Sequence, residues 1–328
     1  MKKALSLLVV CFYTSVVAHS QFVTQEYKIF NHIDLGVTAG STGIGLEASS
    51  PVGQYLHVRT GVDYMPQFKY RMKFNIQLGD EPVGKYDSNN QLTSFGKMAE
   101  LMKDMTGYEP DDHVYMVGTP SMTSFKFLVD VLPFTNKKWH FTVGFYAGKH
   151  VVARAENVIE DTPTLVAVNM YNNIYDKVVN EEDLFMGLEL PPDVCATIRS
   201  YGTMGMSLGS YKRDIFDEAG NLLHSKGDTY KLYPNDECMV KSKLSINKVR
   251  PYIGFGYGNV LSRQKKINCS FDCGVMYIGK TPHVYTHDGT CLTHEVENYG
   301  RSIREYMNFA KSIRVYPVVN FRIAYRLF

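Results

Sequence analysis

Twelve ionisable side chains recur in one sequence context. Asp34, Glu47, His57, Arg59, Asp63, Lys126, Asp130, His140, Arg250, Asp272, Arg322 and Arg326 each stand between two uncharged, mostly apolar neighbours, as in Phe-Lys-Phe, Val-Asp-Val, Trp-His-Phe and Phe-Arg-Ile. Five are carboxylates, five are cations and two are imidazoles. Such a set can neutralise itself through charge-assisted hydrogen bonds. A polar residue flanked on both sides by apolar ones marks a strand that shows its two faces to different media.

Other candidates for chemistry are sparser. His283, His287 and Asp288 in TPHVYTHDG have metal-like spacing, but a third strong ligand is missing from a defined place, and the stretch reads as a polar loop. A hydrolase would need a serine activated by a histidine, and no motif here pairs the two. His57, His140 and His150 fit a packed polar core better than a catalytic site. Cys195, Cys238, Cys269, Cys273 and Cys291 are odd in number and irregular in spacing, so they form neither a disulfide framework nor a zinc knuckle. Cys269 and Cys273 lie four apart on a strand, roughly 13 Å at the usual rise, and cannot bond each other. No cofactor is expected.

The elements that must position the twelve are strands. Alternation runs unbroken from Leu56 to Ile76, with Leu56, Val58, Val62, Tyr64, Phe68, Tyr70, Phe74 and Ile76 on one parity and His57, Arg59, Asp63, Lys69, Arg71 and Lys73 on the other. This predicts one strand about three times the usual roughly 5 or 6 residues. The same pattern occurs over 33–39, 44–49, 125–133, 139–148, 240–246, 249–258, 267–277 and 315–327, giving nine clear strands. Three connections are long, near 79–112, 157–235 and 279–311. Helical spacing is found in TSFGKMAELMKDMTG, with Phe95, Met98, Met102 and Met105 on one stripe ahead of the Gly107 stop. PPDVCATIRS and HEVENYGRSIREYMNFAK are also helix candidates, the latter with Val296, Tyr299, Ile303, Tyr306 and Ala310 on one stripe.

The N-terminal MKKALSLLVVCFYTSVVAHSQ has two lysines, an apolar run and small residues at Ala18 and Ser20, which predicts a secretory signal peptide over residues 1–20 cleaved after Ser20. Its removal takes the formal charge of +2 to about zero for the mature domain, 21–328. No basic patch calls for nucleic acid, and no apolar run of about 18 residues predicts a helical span.

Alternation alone does not say whether the apolar face meets a protein core or lipid. The polar parity decides. A soluble barrel would put a solvent surface there, whereas this one mixes glycine with charges of both signs, as a narrow, self-neutralising interior requires. Strands of ten residues or more suit a tilted bilayer crossing of about 9–11 residues, aromatics crowd the ends of the apolar stripes, and short turns alternate with long loops. A lipid-facing sheet has no water to pair its edges, so it must close. The expected fold is therefore an all-β antiparallel transmembrane β-barrel with helical segments in long loops. Bacterial single-chain barrels have even strand numbers, so nine clear strands point to about ten, in a range of 8 to 12, with the tenth at GTMGMSLGSYK or TYKLYP.

STGIGLE, YLHVRTGVDYMP, VDVLPF before WHFTVGFYAG, NKVRPYIGFGYGN, FDCGVMYIGKTP and the ending VYPVVNFRIAYRLF resemble the porin-like outer-membrane β-barrel proteins of Gram-negative bacteria, in the style found in Bacteroidetes. The resemblance spans nearly all of the mature chain. It implies the outer membrane as location, lipid and lipopolysaccharide as surroundings, and the barrel-assembly machinery as a partner through the C-terminal strand. It carries no shared catalytic motif. The ending departs from the family's usual Tyr-Arg-Phe: Phe328 is one step out of phase, and Leu327 takes the lipid parity. The expected role is structural or surface-interacting, with at most a narrow pore. The alternative is a lipid- or lipopolysaccharide-modifying enzyme that uses lumen or loop His and Ser residues.

Overall fold

The computed structural model describes residues 32–80, 83–134, 136, 138–182, 190–217, 219–259 and 266–327. The expected signal peptide with its cleavage position, and Phe328, lie outside these residues. In chain order the first nine strands are β1 (Asp34–Gly40), β2 (Gly43–Val52), β3 (Leu56–Tyr64), β4 (Tyr70–Leu78), β5 (His113–Pro120), β6 (Thr123–Val131), β7 (Trp139–Gly148), β8 (Val151–Asn157) and β9 (Met204–Tyr211). The rest are β10 (Ile215–Phe216), β11 (Leu222–His224), β12 (Thr229–Leu232), β13 (Lys241–Ser245), β14 (Val249–Gly258), β15 (Ile267–Tyr277), β16 (His283–Thr286), β17 (Val296–Glu297) and β18 (Val315–Arg326).

Eight of these close into an antiparallel barrel in the order β1-β18-β15-β14-β7-β6-β3-β2. The barrel is inside out relative to a soluble protein. Its outward parity carries Leu46, Val62, Phe127, Phe141, Val143, Ile253, Phe271, Phe321 and Ile323, all exposed, while Glu47, His57, Arg59, Asp130 and Arg322 are buried inside. Exposed apolar stripes on every wall have no aqueous explanation; together with a charged interior they specify hydrocarbon as the outer medium. β15 has 11 residues. At a rise of about 3.4 Å and a tilt of about 40°, a strand of that length stands roughly 26 Å tall, matching an apolar band of about 25 Å. Aromatic rings mark both rims. Trp139 stacks edge-on against Tyr257 at one end, with ring centroids 5.0 Å apart, and Tyr64 and Tyr277 occupy the other.

The start of β1, the end of β18 and the connections β2–β3, β6–β7 and β14–β15 share one end of the barrel, as the antiparallel register requires. From the opposite end leave the chain segments between β3 and β6, between β7 and β14, and between β15 and β18. These three insertions together build a cap. Its sheet runs β12-β9-β4-β5-β8-β13-β16, with β17 also on β9, and curls until β12 and β16 meet through the Tyr230 hydroxyl, 2.9 Å from Thr286 Oγ1. Phe74, Ile76, Leu78, Val114, Met116, Met204, Met206 and Leu232 bury themselves in it. The cap thus has a conventional apolar core, unlike the barrel beneath.

Three expectations need correcting. The run from Leu56 to Ile76 is two strands: β3 ends at Tyr64, Pro66 falls in the five-residue break, and β4 begins at Tyr70 in the other sheet. Proline lacks the N–H that a continuous ladder needs. Alternation survives the break, but the even-numbered parity passes from lipid at Val62 to protein core at Phe74 and Ile76, while Lys69, Arg71 and Lys73 lie exposed on the cap. The strand count of ten falls to eight, within the expected range. The ninth clear strand is β13, which pairs with β8 and β16 in the cap, and the suggested tenth segments are β9 and β12, which pair with each other there.

The third correction concerns helices. Ser94–Thr106 is helical, with Thr93 Oγ1 accepting from Gly96 N at 3.1 Å and Gly107 ending it at φ 76°. Pro192–Tyr201 is helical too, but the last candidate is not one helix: His294 and Glu295 end the one-turn helix Leu292–Glu295, Val296 and Glu297 pair with β9, and Arg301–Ser312 forms the longer helix. The longest helix, Thr162–Asn180, falls where the residue pattern predicts none. Its TPTLVAVNMYNNIYDKVVN mixes β-branched, aromatic and Asn residues, all indifferent helix formers, and packing of Leu165, Val168, Tyr171 and Val178 outweighs that weak propensity. Among the described residues no helix is long and apolar enough to cross a membrane.

Candidate functional site

The charged residues meet inside the barrel, in two linked clusters. Arg59 on β3 reaches Asp272 on β15, and these strands stand opposite each other in the eight-strand ring. Both guanidinium nitrogens donate to that carboxylate, Nη1 to Oδ2 at 2.9 Å and Nη2 to Oδ1 at 2.9 Å, so the contact is bidentate. Nη2 also donates to Asp130 Oδ1 at 2.7 Å. His57 Nδ1 lies 2.9 Å from Asp130 Oδ2, His140 Nε2 lies 2.8 Å from Asp272 Oδ1, and Thr142 Oγ1 donates to Asp130 at 2.8 Å. The barrel is therefore tied across its full diameter.

The second cluster is centred on Lys126, whose Nζ is 2.9 Å from Glu47 Oε2 and 2.8 Å from Asp63 Oδ1 and donates to Thr38 Oγ1 at 3.0 Å. Arg322 Nε donates to Glu47, and its Nη2 donates to Ser49 Oγ. Thr42 Oγ1, in the β1–β2 turn, donates to Asp63 Oδ2 at 2.9 Å. All of these charged groups are at most 3 % exposed. Ions this deep persist only when paired, and here each is.

Three predicted residues lie toward the ends. Arg250 is buried near the cap, where it donates to the carbonyls of Asn247 and Lys149 and to Ser124 Oγ, and takes no carboxylate partner among these bonds. Asp34 and Arg326 sit at the opposite end, with Arg326 Nε 3.6 Å from Asp34 Oδ1 and Arg326 half-buried. Asp34 also lies 3.8 Å from His32 Nε2. The structure thus brings ten of the twelve onto buried interior positions in contact with another charged or polar partner, plus the Asp34–Arg326 pair at the rim.

Glycine makes the crowding feasible. A β-carbon on Gly45 would fall 2.0 Å from Asp63 Oδ1, and one on Gly256 would fall 2.3 Å from His140 Nε2. Each glycine leaves the volume that a neighbouring strand's charged side chain fills.

The lumen offers little to a reactant. Asp130, His140 and Asp272 place three donor atoms within 4.8 Å of one another, a metal-like arrangement. The Arg59 guanidinium already occupies the cation position between the two carboxylates. Both histidines are fully buried and hydrogen-bonded to carboxylates, and no serine hydroxyl is bonded to either among the described residues.

Of the loop candidates, His287 and Asp288 serve the turn. Burial raises the Asp288 carboxyl, but hydrogen bonds from Thr286, Thr290 and Tyr230 more than offset this and hold it below the usual carboxylate range. His287 Nδ1 lies 3.3 Å from the Lys241 backbone. His283 points elsewhere, toward Cys291 and His294. Neither partner is marked by sequence spacing, because H-x7-C-x2-H spans a turn, a bridge and a one-turn helix rather than one regular element.

No protein-family model matches the chain, and no curated protein does. Among solved structures, Acinetobacter baumannii CarO aligns at 10% identity over 91% of this chain and 99% of its own, with a TM-score of 0.38. Acinetobacter baumannii CarO2 aligns at 11% identity over 90% and 98%, TM-score 0.38. A major outer membrane protein from Thermus thermophilus aligns at 13% identity over 90% and 98%, TM-score 0.27. Likeness at these scores assigns this chain neither an activity nor a partner.

Proposed function

We propose that this protein is a non-enzymatic outer-membrane β-barrel whose lumen is closed by its own charges and whose work is done by the cap it holds outside the cell. The observation that carries the reading is the bidentate Arg59–Asp272 bridge between opposite walls. An eight-stranded barrel is just wide enough for side chains to fill it. The bridge, the Lys126 cluster and Arg250 fill that interior with buried side chains along its length. The expected measurement is an absence of large, stable conductance steps when the purified protein is inserted in planar bilayers; steps of porin size overturn the closed-lumen reading.

Location follows from the same physics. A closed barrel with an apolar exterior and no helical span among the described residues belongs in the membrane type that receives β-barrels, the Gram-negative outer membrane. Its lipid and lipopolysaccharide are then the barrel's immediate partners, and the barrel-assembly machinery engages it through β18, the strand that closes on β1. The end at which β1 starts and β18 ends, with the short turns, faces the periplasm, which puts the cap on the cell surface. Long loops packed into a folded cap, rather than a wide pore, favour a surface-interaction role.

The helix Arg301–Ser312 tests the depth of insertion. Ile303 and Met307 face the cap core, whereas Tyr306 and Phe309 are exposed, Phe309 at 67 %, a few residues before β18 enters the bilayer. Tyr306 meets exposed Tyr70 at the top of the barrel, with hydroxyl oxygens 3.3 Å apart. This side of the helix suits the headgroup boundary. Trp139 is the single tryptophan of the chain. In a Trp139→Phe background, Phe309→Trp is expected to be quenched by lipids brominated near the headgroup and shielded from aqueous iodide. Full iodide quenching would place the helix in water.

A further inference from the structure

Outside the lumen, three ligand-type side chains converge on the cap. His283 is in β16, Cys291 follows the next turn, and His294 lies in the one-turn helix Leu292–Glu295. One ligand-type atom from each, imidazole nitrogens and the Cys291 Sγ, lies within 4.8 Å of the other two. Cys291 Sγ is 3.9 Å from His283 Nδ1, and the two imidazole rings have centroids 4.7 Å apart. Tetrahedral zinc, with bonds of about 2.3 Å to sulfur and 2.0–2.1 Å to nitrogen, sets its ligand atoms roughly 3.3–3.6 Å apart. Closing the cluster onto an ion therefore shortens these separations by up to about 1.5 Å, and exposed His294 has room to make most of that movement.

The framework around the cluster is already fixed. Tyr285 and Cys291 form a β-bridge, and the intervening turn is locked by Thr286 N to Thr290 O at 3.1 Å and by the Asp288 bonds described above. Cys291 N donates to Glu295 Oε2 at 2.8 Å, and Arg213 ties down the same carboxylate at 2.8 Å. The His283 ring lies nearly parallel to Tyr285, which sets its plane. Thr293 Oγ1 is 3.3 Å from the sulfur, a hydroxyl positioned to donate to a thiolate.

Lys212 and Lys311 are the cationic neighbours of His294. The same lysines oppose a free cation. A thiolate ligand offsets that charge, so a metal that binds sulfur strongly is favoured over calcium or magnesium, which take oxygen ligands.

We propose that His283, Cys291 and His294 form a three-ligand site for a thiophilic transition-metal ion of the zinc class, with its remaining coordination position open to solvent at the cap surface. Cys291 is the buried anchor and binds as thiolate, its proton leaving to solvent as the metal enters. The two imidazoles complete the set from the solvent side. Three protein ligands and one open position is the arrangement of zinc sites that accept an exogenous ligand.

The test uses the full-length protein in detergent micelles, reduced and metal-free, titrated with Co2+ and then Zn2+. The expected result is a thiolate-to-cobalt charge-transfer band in the near ultraviolet that saturates at one equivalent and is bleached by Zn2+. Cys291→Ser is expected to abolish the band although the other four cysteines of the mature chain remain. His294→Ala, at an exposed position that does not threaten folding, is expected to weaken Co2+ binding at least tenfold, and His287→Ala to leave the titration unchanged. Absence of the band, its persistence in Cys291→Ser, or equal losses in His294→Ala and His287→Ala overturns the proposal.

Discussion

Arg59→Met is expected to lower the stability of the barrel by about 3–5 kcal/mol, the cost of breaking a buried ion pair from one side. Methionine fills much of the arginine stem's volume, so the loss isolates charge from packing. Asp130 and Asp272 would then face each other at the centre of the lumen, with His57, His140 and the Thr142 hydroxyl left to compensate them. Neutralising one acid as well tests this account. The double variant Arg59→Met, Asp272→Asn is expected to recover roughly 0.5–3 kcal/mol of the loss, the usual coupling between residues of one network. The measurement is reversible urea unfolding in lipid vesicles, with the heat-dependent gel mobility of the folded barrel as a second readout. An Arg59→Met barrel within about 0.5 kcal/mol of the unaltered protein would mean that the bridge across the lumen holds nothing together.

The prominence of that bridge explains why the interior was legible in the sequence while its wiring was not. Period-2 alternation assigns Arg59 and Asp272 to one face, since each sits between uncharged neighbours on its strand. Opposition across the lumen depends on something else: β3 and β15 are four places apart in the closed ring, which only strand number and order determine. Strand number was where the pattern misled. Lys241–Ser245 alternates as barrel strands do, yet it pairs with β8 and β16 in the cap. Alternation reports that two faces differ. It is silent on whether the apolar one meets lipid or a protein core.

Helix Thr162–Asn180 was obscured by composition, and the His283–Cys291–His294 cluster by separation across a turn. The THDGT segment even offered a decoy. His287 and Asp288 look like ligands because imidazole and carboxylate stand side by side, but a turn that reverses a strand needs a carboxylate to cap its own N–H and hydroxyl groups. The same Asp that suggests a metal is consumed in making the turn that brings Cys291 back beside His283.

Phe74→Ala is expected to destabilise the cap by about 3–5 kcal/mol while Val62→Ala changes the barrel's stability far less, although the two residues share one parity of one alternating stretch. Phe74 is 7 % exposed against Ile76, Leu78, Val114 and the cap helices; deleting its ring leaves a cavity among fixed protein neighbours. Val62 is 49 % exposed on the barrel wall, where mobile lipid chains refill the space of two lost methyl groups. Because Pro66 and the break between β3 and β4 separate the two sheets, the damage from Phe74→Ala should stay in the cap. Limited proteolysis of protein in vesicles reads this directly. Cleavage through the opened cap tracks its equilibrium population, so a loss of that size raises the rate by about two to four orders of magnitude, with the barrel's heat-dependent mobility unchanged. Equal sensitivity at Val62 and Phe74 would mean that both face the same medium, and the division into a lipid-facing barrel and a protein-cored cap would fall with it.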